Sequence, residues 1–122
     1  FGPVAKVFHE LVSDDVHLDI LLVEPTEQRP WWVLVTSGVS DLPMHVPEGE
    51  SLPRHAELVL FLAATWPMAH DEWQDERHYW PIRQLKVLGR LPHRTRSWLG
   101  PGHTCAADPP APFAAGVPFC AM

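Results

Sequence analysis

Apolar and polar residues alternate from Val16 to Val23, so Val16, Leu18, Ile20 and Leu22 share one face of a strand while His17, Asp19, Leu21 and Val23 share the other. Phe8 to Val12 alternates more weakly, and Ser13-Asp14-Asp15 between the two runs is a turn signal, so a hairpin is expected. Glu24 to Pro30 breaks the chain, and Trp31 to Thr36 is apolar enough to be a central strand. Residues 42–55 carry three prolines and few apolar positions and are expected to be loop. Ala56 to Ala64 is ambiguous, because Ala, Glu and Leu favour helix whereas Leu58-Val59-Leu60-Phe61 suits a buried strand. The poorly patterned acidic stretch from Pro67 through Arg77 reads as solvated loop. Pro81 to Leu91 is the best helix: Ile82, Leu85 and Leu88 share a face with Gly89 beside them, Arg83, Lys86 and Arg90 lie on another, and Pro92 closes it.

The chain turns abruptly where the central strand ends. Leu34 to Met44 runs from β-rich apolar residues into Thr36, Ser37, Gly38, Ser40 and Asp41. Glycine tolerates a positive φ and a close approach of backbone, and Ser and Asp bond back to the main chain, so a tightly bonded loop is expected here. Such loops on a rigid sheet often carry binding. The stretch is not a nucleophile elbow, since Gly38-Val39-Ser40-Asp41-Leu42 has Leu where that motif needs Gly.

Composition narrows the picture further. A chain of 122 residues makes one domain spanning 1–122 with room for a core. Fourteen prolines predict long ordered loops and short elements, and six tryptophans predict bulky core anchors. A net charge of −6 argues against nucleic acid and anionic membranes as partners and is compatible with a basic one. No apolar run approaches a membrane span and no signal peptide is visible, so a cytoplasmic setting with Cys105 and Cys120 reduced is expected. The first residue is Phe1 rather than Met, which suggests a trimmed chain or a fragment. Asp108 to Pro112 is stiff and linker-like, and Phe113 to Met122 turns apolar again like a strand cut short.

Candidate chemistry is sparse. His17 and Asp19 alternate on one strand face and suit two ligands of Zn²⁺ or non-haem iron, with a third required from His9, His45 or His103. A metal-dependent hydrolase built on them is the alternative function. The spacings His-x-x-x-His and Cys-x-x-Cys are absent, however, so a solvated or backbone-bonded pair is the plainer reading and no metal or cofactor is expected. His103-Thr104-Cys105 lacks a recognisable orienting acid for a thiolate. Asp71, Glu72, Asp75 and Glu76 fit a hydrated loop better than a general acid–base pair, so no enzyme is expected.

Several stretches in order carry a family likeness. Thr36-Ser37-Gly38-Val39-Ser40-Asp41 with Pro43-Met44 resembles the signature loop of the Suppressor-of-Fused domain family, bacterial members in particular. Phe8 to Ser13, His17 to Ile20, Ala56 to Leu60, and Tyr79 to Ile82 running on to Trp98–Thr104 match further stretches of that family, in its order, over about residues 8 to 104. The resemblance favours a strand at Ala56–Ala64 and implies an α+β fold, a mostly antiparallel sheet with one principal helix packed on it and long Pro-rich loops. It also implies a non-enzymatic module that binds another protein, either a regulatory protein or a toxin that it neutralises as an immunity protein. The signature residues carried over are Thr36, Ser37, Gly38, Ser40, Asp41 and Met44, with Trp80, Pro81, Gly102 and His103 as expected supports of the loop. Because the family domain continues beyond Met122, the likeness further implies a missing C-terminal part and self-association through the exposed sheet edge.

Overall fold

The computed structural model describes residues 2–9, 17–106 and 111–116. Four strands form one antiparallel sheet in chain order: β1 (Lys6–Phe8), β2 (Asp19–Val23), β3 (Trp31–Ser37) and β4 (Val59–Ala63). A single long helix, α1 (Glu76–Thr95), follows them. The chain is therefore α+β. Within the ambiguous stretch at 56–64 the strand is Val59–Ala63, because Leu60 and Leu62 have Leu34 and Trp32 to pair with, and that tertiary pairing overrides the mixed local propensity.

Register decides what the sheet buries. Phe8 lies opposite Ile20, Ile20 opposite Thr36, Leu22 opposite Leu34, and Leu34 opposite Leu60. Alternate side chains share a face, so Phe8, Ile20, Leu22, Trp32, Leu34, Leu60 and Leu62 all point the same way. The helix lays Ile82 and Leu85 on that face, and Leu18, Val39 and Trp73 complete the main core. Each large aliphatic side chain fully buried there contributes roughly 1.5–3 kcal/mol. On the opposite face Val23 and Val33 are buried, but Trp31, Val59 and Phe61 are 40%, 42% and 53% exposed. Trp31 is thus no core anchor; it meets Phe61 edge-on across the outer face.

The helix is longer than its sequence pattern predicts. It begins at Glu76 rather than Pro81 because Asp75 caps it, its carboxylate accepting the Arg77 N–H at 2.9 Å. Hydrogen bonds from the Arg77 side chain and N–H hold the Asp75 carboxyl down at about 2. The stretch expected as solvated loop also contains a 3-10 turn, Glu72–Gln74, that buries Trp73 in the core. Pro81 and Pro92 both lie inside α1, where each lacks the N–H of a helical bond. Both are fully buried, and that packing offsets the lost bonds. The helix runs on to Thr95 and stops where Arg96 turns left-handed (φ 51°), with the N–H groups of Arg96 and Ser97 donating to the Pro92 carbonyl.

At the N-terminal half of α1, Trp80 stacks on Phe113 at 5.5 Å and meets Trp66 edge-on at 6.3 Å. Arg83 Nη2 donates to the Phe113 carbonyl at 2.6 Å and so ties this later segment to the helix. Residues 113–116 form a bend and turn, and the rest of the strand expected from Phe113 onward lies outside the described residues. Cys105 is a free thiol; Cys120 lies outside the described residues.

Candidate functional site: a braced loop at the end of the central strand

Strand β3 ends at Ser37 and the chain reverses at Gly38, whose φ is 110°. A Cβ at this position would stand 2.2 Å from the His17 carbonyl oxygen, so the loop can pass over β2 only as glycine. One 3-10 turn, Val39–Asp41, follows. It buries Val39, while Met44 and Val46 are buried beyond it. Ser37, Asp41, Leu42 and Pro43 remain exposed.

The brace is Glu57, just before β4. Its Oε1 accepts the Gly38 N–H at 3.1 Å, the Ser40 N–H at 3.0 Å and the Ser40 hydroxyl at 2.6 Å. Its Oε2 accepts the Thr36 hydroxyl at 2.7 Å. Thr36 Oγ1 in turn accepts the Leu58 N–H at 2.7 Å, which joins the loop to the start of β4. Burial raises the Glu57 carboxyl, but the Ser40 and Thr36 hydroxyls and the two backbone N–H groups outweigh it and hold the group below its ordinary value. His55 Nδ1 lies 2.8 Å from the Ser40 carbonyl, so this nitrogen carries the proton.

Two neighbours close round the loop. Gly89 of α1 comes so near that a Cβ there would lie 2.6 Å from Leu18 Cδ1 and 2.9 Å from Val39 Cγ2. On the other side Met44 N–H donates to the Arg54 carbonyl at 2.6 Å, its sulfur accepts the Leu99 N–H at 3.4 Å, and His45 N–H donates to the Ser97 carbonyl at 3.0 Å. The segment after α1 therefore docks on the loop. Its own turn is closed by Gly100 N–H donating to His103 Nδ1 at 3.2 Å and His103 N–H donating to the Gly100 carbonyl at 3.1 Å. Between loop, helix and this turn lies a cavity of about 250 Å³, whose walls include Val39, Met44, Leu58, Leu88 and Leu99.

Thr36, Ser37, Gly38, Ser40 and Asp41 thus stand together, and Met44 links them to the turn that carries Gly102 and His103. Trp80 and Pro81 sit elsewhere: from Trp80 to Gly89 is about 13 Å along the helix axis, and Trp80 packs with Trp66 and Phe113. Glu57 was missing from the sequence-based set. The signal for it is the turn itself, whose N–H groups need an acceptor, but sequence alone does not say which distant residue supplies one.

The histidine–aspartate pair does form. Asp19 lies 3.3 Å from His17 Nε2 and 3.2 Å from His9 Nδ1, both histidines being largely exposed. Both histidines thus contact one carboxylate, and among the described residues no group of three or more His, Cys, Asp or Glu is placed to hold a metal ion. Asp75 is spent as a helix cap, Glu76 pairs with Arg83, and Glu72 accepts the Ala69 N–H. Among the described residues no helix is long and apolar enough to cross a membrane.

An antiparallel sheet that presents a braced, solvent-facing loop suits contact with another protein. The sequence model of the Suppressor of fused protein matches residues 14–122, and the chain belongs to that family of protein-binding regulatory proteins. No curated protein and no solved structure gives a significant match.

Proposed function

We propose that this chain is a non-enzymatic protein-binding module of the bacterial type that works in the cytoplasm, presents the 36–44 loop to another protein, and neutralises a toxin as an immunity protein. The observation that carries this reading is the brace. Four hydrogen bonds to one carboxylate fix the backbone from Thr36 to Ser40, while Asp41, Leu42 and Pro43 face solvent on it. A loop ordered before binding loses less conformational entropy on association. The net charge of −6 suits a basic partner by speeding encounter and disfavouring acidic competitors. A regulatory protein in place of a toxin would meet the same surface.

The test uses Leu42→Asp, which changes a side chain that is 46% exposed and leaves the brace intact. Protection of cells against the toxin that the wild-type chain neutralises should be lost, and affinity for that toxin should fall at least about tenfold, with the melting temperature unchanged. Full protection by the variant would remove the loop from the contact surface.

A further inference from the structure

The chain has two lysines, Lys6 and Lys86, and the fold brings both to one cluster of rings. Phe8 of β1, Trp73 of the 3-10 turn and Tyr79 of α1 pack together, with ring centroids 5.5 Å (Phe8–Trp73), 6.3 Å (Phe8–Tyr79) and 6.2 Å (Trp73–Tyr79) apart. Lys6 leaves the same face of β1 as Phe8, and its Nζ stands 5.6 Å from the Trp73 ring centroid. Lys86 comes from α1. Its Nζ lies 4.4 Å from the Phe8 centroid and donates to the Tyr79 hydroxyl at 3.0 Å.

The rings hold these charges without neutralising them, because a ring face attracts an ammonium through its quadrupole and brings no counter-charge. An ammonium has three donors, and Lys86 uses one on Tyr79. Among the described residues no carboxylate pairs with either lysine. The acids around the start of α1 are already engaged: Asp75 with Arg77, Glu76 with Arg83, and Glu72 with the Ala69 N–H. Two cations with free donors therefore stand side by side on a chain whose net charge is −6. Nucleic acid does not suit them, since its affinity grows with the number of phosphates neutralised. Nor does an anionic bilayer, which is recognised by clusters of about four to eight basic residues.

We propose that Lys6 and Lys86, held over the Phe8–Trp73–Tyr79 rings, form a docking site for an acidic segment of a protein partner, one that carries carboxylates on neighbouring residues. Two ammonium groups over adjacent rings call for two carboxylates rather than one. The first meets Lys86, whose side chain is already ordered between Phe8 and Tyr79 and so loses little rotamer freedom on binding. The second meets Lys6, which is exposed on β1. Both contacts are charge-assisted hydrogen bonds to groups that have no anionic partner in the fold. This proposal stands independently of what the 36–44 loop binds.

Hexaglutamate with blocked ends is the probe, titrated into the whole chain carrying isotope-labelled lysine, which gives one ε-methylene signal for each of Lys6 and Lys86. Both signals should move saturably, and the shifts should recede as salt is added. Hexaglutamine should leave them still. Lys6→Gln and Lys86→Gln should each weaken hexaglutamate by about threefold, whereas Arg54→Gln, which removes an exposed cation from another part of the chain, should not. Signals unmoved up to the solubility limit of hexaglutamate would overturn the proposal and leave the lysines as packing groups. So would equal shifts with hexaglutamine, or undiminished affinity in Lys6→Gln. Inorganic phosphate or phosphatidylglycerol vesicles that move both signals at lower concentration than hexaglutamate would also overturn it, in favour of a free anion or a membrane. Because Lys6 is exposed, Lys6→Gln decides the matter even where Lys86→Gln loosens the fold.

Discussion

Glu57 and Gly38 make the loop possible by opposite means, one by the hydrogen bonds its oxygens accept and the other by the side chain it lacks. Glu57→Ala would leave the Gly38 and Ser40 N–H groups without their acceptor, and bonds to a charged group contribute about 1.5–3 kcal/mol each. The loop is part-solvated, so a total loss of about 2 kcal/mol is expected in chemical denaturation. Because the folded-state value of Glu57 is depressed, its contribution is complete above the ordinary glutamate range and disappears as pH falls through that lowered value. The melting temperature of the wild type should accordingly drop more steeply on acidification below about pH 4.5 than that of Glu57→Gln, and parallel curves would refute the linkage. Gly38→Val meets both a φ of 110° and a carbonyl 2.2 Å from its new Cβ. A cost of about 3 kcal/mol or more is expected, above the 1–2 kcal/mol that left-handed strain alone would bring. An unchanged melting temperature would show the glycine to be incidental. The need for this glycine is legible in the run of Thr, Ser, Gly, Ser and Asp after an apolar strand. The His17 carbonyl that enforces it is not, because sequence carries no record of which backbone crosses which.

Among the elements, strands were the more legible. Alternation put Leu18, Ile20 and Leu22 on one face, which the structure buries in and just before β2, and an unbroken apolar run placed β3 at the centre, each because burial on one or both faces is written directly into the residue pattern. The helix was misjudged at both ends for one reason: Pro81 and Pro92 look like punctuation, yet both are buried inside α1. Local propensity makes proline a boundary, and tertiary packing overrode it. Asp75 and Glu76, which resembled part of a hydrated acidic run, are the cap and first residue of that helix. Gly89, by contrast, was readable as a point of close packing, and the structure supplies its neighbours in Leu18 and Val39. Replacing Gly89 with alanine would gain up to about 1 kcal/mol of helix propensity, which a short overlap could cancel. Valine has no such compensation, and Gly89→Val should lose about 2 kcal/mol by pushing α1 off the loop. Hydrogen exchange at the Ser40 amide should then quicken together with that loss. Ser40 protection left unchanged in a destabilised variant would mean that helix and loop are held separately.

At the scale of the whole molecule the two faces of the sheet have different fates. α1 covers one, and the other leaves Trp31, Val59 and Phe61 partly in water along β3 and β4. Across that face the Trp31 and Phe61 rings meet edge-on at 6.4 Å. Aromatic pairs in this geometry contribute about 0.5–1.5 kcal/mol beyond the area they bury. A double-mutant cycle of Trp31→Ala and Phe61→Ala, read by chemical denaturation, should therefore give a coupling of about 0.5–1.5 kcal/mol even though the two side chains are 40% and 53% exposed. Strictly additive losses would mean that the rings merely lie near each other and that the outer face is not held together across β3 and β4.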